Sequence, residues 1–296
     1  MKRDGRGGFI LVSTLTALLV LAGLVAAVTY LTRTAVVGAA AARENLVIDA
    51  LLQSGVELAG YELFSLRQPP HVVNGQRIRL NDGAITLFAT SEAGKIDLNG
   101  APPELLAALW ESIGAPGMRP ETFAARVIDY RDADDEVSDN GGAELPQYAA
   151  AGPLKRPANA PFETVDELQN VLEVTVDQVR RLAPLLTVHN PGGKIAALEA
   201  SPMVLRVIPG GARAFEALQA LRARQQAPGD GGEDEMQRLL GDAAKFVTTE
   251  TESKAVAVRV EVERGDARRT LDVILTASRA PEALYFVTDR IARPTQ

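Results

Sequence analysis

The sequence predicts an α+β protein in which a long N-terminal helix, its first half in lipid, packs against an antiparallel sheet that a large helical segment interrupts. Three observations predict it. The chain opens on an uncharged apolar run, and strand-like alternation is confined to residues 76–90 and to the stretch after residue 246. The roughly 150 residues between them carry helical spacing with proline starts, which is most economically one sheet with a helical domain inserted in a loop.

Composition narrows the chemistry before any motif does. The 296 residues carry a net charge of −7, no cysteine and two histidines, His71 and His189. Thiol nucleophiles, disulfides and Cys/His zinc sites are excluded, so any metal must bind through oxygen. The acidic balance disfavours a polyphosphate partner.

From Phe9 to Thr32 run 24 residues without a charge, 18 of them apolar. As a helix this is roughly 36 Å long, enough for a hydrocarbon core of about 30 Å. Lys2, Arg3 and Arg6 precede it against Asp4 alone, which keeps the leader in the cytoplasm and sends the body across the membrane. A cleaved signal peptide, for which Ala26–Ala27 is the small-residue site, fits less well because its apolar core is usually about 7 to 15 residues. No proline follows until Pro69, and Ile48, Leu51, Leu52, Val56, Ala59, Leu63 and Leu66 share one helical arc. The helix is predicted to run on beyond fifty residues, with Asp49, Gln53 and Glu57 outside and Glu62 as a misfit inside the arc.

Ile78 and Leu80, then Asn81-Asp82-Gly83, then Ile85 and Leu87 predict a hairpin. Helices follow from Pro102 to Trp110 and Pro120 to Arg131, each with proline in the first turn. Thr164-x-x-Glu167 and Thr175-x-x-Gln178 read as capping boxes, Ser201-Pro202 opens another helix, and Ala212 to Arg224 is the last before a Pro228–Gly232 linker. Strands are predicted to return at Phe246, through 255–262 and 270–276 to a short piece at 285–288. Inside the helical segment, residues 95–106 and 194–205 align without gaps at an offset of 99, sharing Lys, Ile, Ala, Pro and the final Leu. Each resembles the opening of a helix-hairpin-helix or SAM-like unit. Trp110, Phe123, Tyr130 and Phe162 are spaced as core residues.

Gly7-Gly8-Phe9-Ile10-Leu11-Val12, after a basic leader, resembles the processing site of type IV pilin-like precursors. The resemblance implies cleavage between Gly8 and Phe9 by prepilin peptidase and methylation of the new N-terminus. Most such proteins have glutamate at the fifth mature position, where this chain has Ser13; within the superfamily that glutamate is typically missing from the K-type minor pseudopilin.

Lys95-Ile-Asp-Leu-Asn99, Ile128-Asp-Tyr-Arg-Asp-Ala-Asp-Asp135, Gly142-Ala-Glu144, and Asn159-Ala-Pro-Phe162 leading to Glu167-Leu168 together resemble the general secretion pathway protein K family over nearly the whole chain. The resemblance implies a pilin-like α/β fold with a SAM-like or helix-hairpin-helix-like insert and no catalytic activity. It places a single-pass protein in a bacterial inner membrane, with the body in the periplasm at the pseudopilus tip. Its partners would be the I- and J-type minor pseudopilins, with the H-type and the major pseudopilin beyond. The expected divisions are 1–8 leader, 9–32 membrane span, 33–68 periplasmic helix, 69–94 first strands, 95–190 first helical lobe, 191–245 second lobe and linker, and 246–296 last strands.

Asp129, Asp132, Asp134, Asp135, Glu136, Asp139 and Glu144 put seven carboxylates in sixteen residues. Such a loop is either solvated or neutralised, and calcium, which takes six to eight oxygens from flexible loops, is the natural extracytoplasmic counter-ion. Val137 stands where an EF-hand needs glycine. Members of the resembled family bind calcium in this insert, which favours the metal reading: Asp132, Asp134 and Glu144 are the first candidate ligands, Asp135 and Asp139 the next. Asp129, at a helix end, is expected to pair with Arg131 or Arg126. The expected role of the ion is to hold the loop and the two helical lobes in one arrangement.

Two other classes compete. Catalysis is disfavoured because the carboxylates share one loop, whereas catalytic groups converge from separate elements, and because His189 sits in a surface turn. A membrane-anchored helix-hairpin-helix DNA receptor is disfavoured by charge: residues 95–190 hold 8 basic and 16 acidic residues, net −8. No nucleic-acid partner is expected.

Overall fold

The computed structural model describes residues 6–152, 155–211, 215–216, 240–248, 254–278, 280 and 283–293. Helix α1 (Arg6–Gly60) is 55 residues long and uninterrupted, and it is long and apolar enough to cross a membrane. Its residues 11–43 are exposed, while Ile48, Leu51, Leu52, Val56 and Ala59 are buried. A π-helical turn, Tyr61–Ser65, then inserts extra backbone into the spiral. That extra residue explains two departures from the predicted arc. Leu66 is rotated out and half exposed, and Glu62, the misfit, accepts a 2.8 Å hydrogen bond from Gln76 Nε2.

After α2 (Pro70–Val73), β1 (Gln76–Leu80) and β2 (Gly83–Ser91) form the predicted hairpin. The insert begins at β3 (Ile96–Asp97) and α3 (Pro103–Ser112), followed by α4 (Pro120–Arg131), α5 (Leu145–Ala151), α6 (Val176–Leu182) and β4 (Leu186–Thr187). A second unit holds β5 (Ile195–Ala196), α7 (Pro202–Val207) and β6 (Val247–Thr248). The sheet then resumes with β7 (Ala255–Arg264), β8 (Ala267–Ala277) and β9 (Tyr285–Arg293). Its order is β1-β2-β7-β8-β9, antiparallel throughout, and β2 pairs with β7 across the whole insert, from Ala84↔Glu263 to Ser91↔Val256. One sheet face packs Ile85, Leu87, Val258, Val260, Leu271 and Val273 against α1.

The internal echo is structural. β3 pairs in parallel with β4 and β5 with β6. Leu98 N–H donates to Thr187 O at 2.9 Å, and Ala197 N–H, at the same offset of one, donates to Thr248 O at 3.0 Å. Ala101 N–H to Asp97 O and Ala200 N–H to Ala196 O are likewise both 2.9 Å. In each unit a two-residue strand leads into a proline-started helix and is closed by a strand that follows a 3₁₀ turn. The units share one core, from Leu105, Trp110 and Phe123 to Val204, Leu205 and Phe246. Trp110 stacks on Phe123 and Tyr130 on Phe162, with centroids 4.4 and 4.7 Å apart.

Two expectations are corrected. The C-terminal strands do not rejoin the sheet at Phe246: β6 pairs with β5 and belongs to the insert, and both edges of β2 are taken by β1 and β7. Of the capping boxes, Thr175 makes both reciprocal bonds with Gln178, whereas Thr164 opens a 3₁₀ turn, Val165–Asn170, with no side-chain bond to the backbone. The predicted helix over 212–224 and the 228–232 linker lie outside the described residues except for Phe215 and Glu216. Gly8 and Phe9 fall in the first turn of α1.

Candidate metal centre

The family-like segments at Lys95–Asn99 and Asn159–Phe162 do structural duty. The buried Asp97 carboxylate accepts the N–H groups of Asn99, Gly100 and Asn190 at 2.7, 3.0 and 2.7 Å, fixing the turn after β3 to the turn after β4. Asn99 and the Phe162 backbone bond each other reciprocally at 2.9 and 2.7 Å. Arg131 donates to the carbonyls of Leu98 and Ala101. It is therefore not the partner of Asp129, and neither is Arg126, which pairs with Glu173 at 2.9 Å. Asp129 is fully buried and instead accepts the Ser138 N–H at 3.1 Å. A helix-end carboxylate facing its own following loop finds backbone donors before any arginine reaches it.

The acidic loop leaves α4 at Asp132 and ends at Glu144, which precedes α5. It turns through Asn140 and Gly141, both in the left-handed region at φ 68 and 92. Gly142 passes so close that a Cβ there would stand 2.2 Å from Asp129 Oδ2 and 2.8 Å from the Ser138 carbonyl oxygen. This fold brings the carboxylates to unequal places. Glu144 is buried, 1% exposed, and stands at the N-terminus of α5 in a capping-box arrangement with Gln147, whose Oε1 accepts the Glu144 N–H at 3.0 Å, yet neither Glu144 carboxylate oxygen completes a hydrogen bond. Asp132 Oδ1 is buried and unpartnered as well. Asp134 and Asp135 are exposed at the rim, where Asp134 Oδ1 accepts the Glu136 N–H at 2.9 Å. Asp139 is exposed and lines a groove of about 880 Å³ between α3 and α4 together with Glu104, Glu111 and Glu121.

Charge follows this geometry. Burial, and then the neighbouring Asp129, Asp132, Asp135 and Asp134, push the Glu144 carboxyl up to about 7. Burial and the charges of Asp134 and Asp129 also raise Asp132. Among the described residues, five buried side-chain atoms have no partner: Asp132 Oδ1, both Glu144 oxygens, Asn159 Oδ1 and, in β2, Ser91 Oγ. Four of the five are thus oxygens on or beside one loop. Buried polar atoms are rarely left so, and an all-oxygen set with two carboxylates and an amide carbonyl fits a hard cation such as calcium. Among the described residues, no group of three or more His, Asp or Glu side chains is arranged to hold a metal ion unaided. A cation there would need neutral oxygens as well, and the buried, unpartnered Asn159 Oδ1 is one that counting charges along the sequence does not find. Its left-handed backbone, φ 46, is a turn signal in hindsight.

The fold is a helix long and apolar enough to cross a membrane, packed on an antiparallel sheet that a repeated helical insert interrupts. Residues 86–191, which take in most of β2 and the first repeated unit of the insert, match the family model described as type II secretion system (T2SS), protein K, the family that the sequence resembles. Among solved structures the chain is similar to one from the crystal structure of the GspK-GspI-GspJ complex of the enterotoxigenic Escherichia coli type 2 secretion system. The TM-score is 0.63 at 19% identity, covering 86% of this chain and 99% of that one. At that identity the likeness speaks for the fold. No curated protein sequence gives a match.

Proposed function

We propose that this protein is a non-enzymatic minor pseudopilin of the K type in type II protein secretion. It sits at the tip of a periplasmic pseudopilus and helps initiate its assembly. The observation that carries the reading is the protein K domain match over residues 86–191 set between strands of a sheet packed on a membrane-length helix. The related structure is a complex with I- and J-type subunits, which supports those two as partners here; the H-type and major pseudopilins follow by position in the filament. In this reading prepilin peptidase removes residues 1–8 on the cytoplasmic side, Phe9 is methylated, and the body folds in the periplasm.

The same reading includes a structural calcium ion held by Asp132 and Glu144, with Asp134 and Asp135 at the rim and Asp139 the outermost of the acidic candidates. The ion supplies positive charge to carboxylates that otherwise repel, and the chain's own work is to hold them buried and oriented. The test is the mass of the N-terminal peptide from native membranes, together with co-purification. A methylated Phe9 terminus and capture of the I- and J-type subunits are expected. An intact Met1, or a basic leader still attached to protein that captures neither subunit, would return the anchor to an ordinary transmembrane helix.

A further inference from the structure

We propose that the Asn159 side-chain carbonyl is a ligand of the cation in the acidic loop, and that the bound ion thereby clasps residues 155–162 onto that loop. The inference rests on the calcium reading above and adds to it a neutral ligand and a consequence for the chain.

Both ends of the Asn159 amide are accounted for. Nδ2 donates to the Asp134 carbonyl oxygen at 3.1 Å and to Asp135 Oδ1 at 3.2 Å. With the amide turned over, an oxygen would face two acceptors, so the orientation is fixed by chemistry. Oδ1 is then aimed the other way, where it is buried and has no partner. The loop that carries the unpartnered oxygens of Asp132 and Glu144 is thus the one to which Asn159 is bonded, through Asp134 and Asp135. The left-handed backbone at Asn159, φ 46, is what turns its side chain back toward them, a conformation Asn tolerates better than most residues.

A ligand at this place has mechanical meaning. Three residues on, Phe162 is bonded to Asn99 and stacked on Tyr130 of α4. The stretch 155–162 is thus fastened at its end by the core and, through Asn159, by the ion. Lys155 and Arg156 lie just before that second fastening and are exposed. Cleavage at such a site requires local opening of the surrounding residues, which an ion held across Asn159 and the loop opposes.

The experiment uses the full chain in detergent micelles, with calcium as the probe. Calcium binding is titrated by calorimetry, and trypsin cleavage after Lys155 is followed by peptide mass in calcium and in chelator; Arg156 precedes Pro157 and is not cut. Asn159→Gly keeps the left-handed backbone and removes only the side chain. Wild type is expected to bind calcium and to be protected at the Lys155–Arg156 bond by it, and Asn159→Gly to bind at least about tenfold more weakly and to lose the calcium-dependent part of the protection. Asn159→Gly binding calcium as wild type does overturns the inference, even if its cleavage rises equally in calcium and chelator, and leaves the calcium reading standing. Calcium binding without protection of that bond in wild type overturns the clasp. No calcium binding by wild type overturns the calcium reading itself, and Glu144→Gln, expected to abolish binding, distinguishes binding at this loop from binding elsewhere.

Discussion

In the sheet body, charge is paired at the surface. Arg264 holds Asp82 on the β1–β2 turn, 2.6 Å away, and Glu44 on α1, and Arg259 holds Asp272 at 2.6 Å. In the insert, carboxylates are carried inside: Asp97 is satisfied by three backbone donors, whereas Glu144 and Asp132 keep buried oxygens with no partner. Among the described residues the sheet body leaves one buried hydroxyl, Ser91 Oγ, without a partner, while the four other unpartnered buried oxygens lie on one loop of the insert and at Asn159. The difference teaches that acidic residues mark a binding site through unmet hydrogen bonding in the interior, not through their number along the chain, since Asp134, Asp135 and Asp139 are as acidic and stay solvated.

Mutations in each region sharpen that comparison, and Trp110, the one tryptophan of the chain and buried in the insert, reports on the insert alone. The largest effect is expected for Asp97→Ala. Three partly buried N–H groups would lose their acceptor, so the insert should lose about 2 kcal/mol or more, read as an earlier Trp110 fluorescence transition in urea. Gly60→Ala should cost the sheet body about 2 kcal/mol, because its Cβ would stand 2.3 Å from the Tyr285 ring, which stacks on Phe64 and donates to Glu57. Faster hydrogen exchange in β8 and β9 with an unchanged Trp110 transition is the expected signature; a shift of both would mean the two cores are coupled.

Glu144 gives the pH dependence. Its folded value, about 7, lies above the usual 4.5, so the folded state holds the proton more tightly than the unfolded chain does. Metal-free stability of the insert should be full below about pH 4.5 and fall as pH rises to about 7. Glu144→Gln should flatten that fall and raise metal-free stability at pH 8 by about 1–2 kcal/mol, while removing any stabilisation by added calcium. A wild-type insert in chelator that grows more stable from pH 5 to 7 would sink this account of the loop. The smallest effect is expected for Arg264→Ala, a barely detectable shift of the unfolding transition that salt diminishes further, because its partners are exposed. A loss as large as that at Asp97 would erase the contrast between surface pairs and buried carboxylates.

Much of the fold was legible because its determinants are local. The absence of proline before Pro69 and the apolar arc at Ile48 to Leu63 determined α1; alternation determined β2 and β7; Pro103, Pro120 and Pro202 set three helix starts. The echo between 95–106 and 194–205 foretold a repeated unit, and the aromatic spacing foretold its core. The acidic loop could be located from the sequence, and so could Glu144 within it.

What tertiary structure alone decided were the partners. Val247 and Thr248 close β5 rather than the sheet, Asp129 takes a backbone donor in place of an arginine, and Glu62 is reconciled by a π turn and Gln76. Asn159, 15 residues beyond Glu144, becomes part of the same site only when the chain has folded back. Periodicity and caps are written within a few residues of where they act, but which polar groups are left without a partner depends on everything that packs around them. A sequence states how many oxygens a loop carries, and the folded chain decides which of them remain unsatisfied.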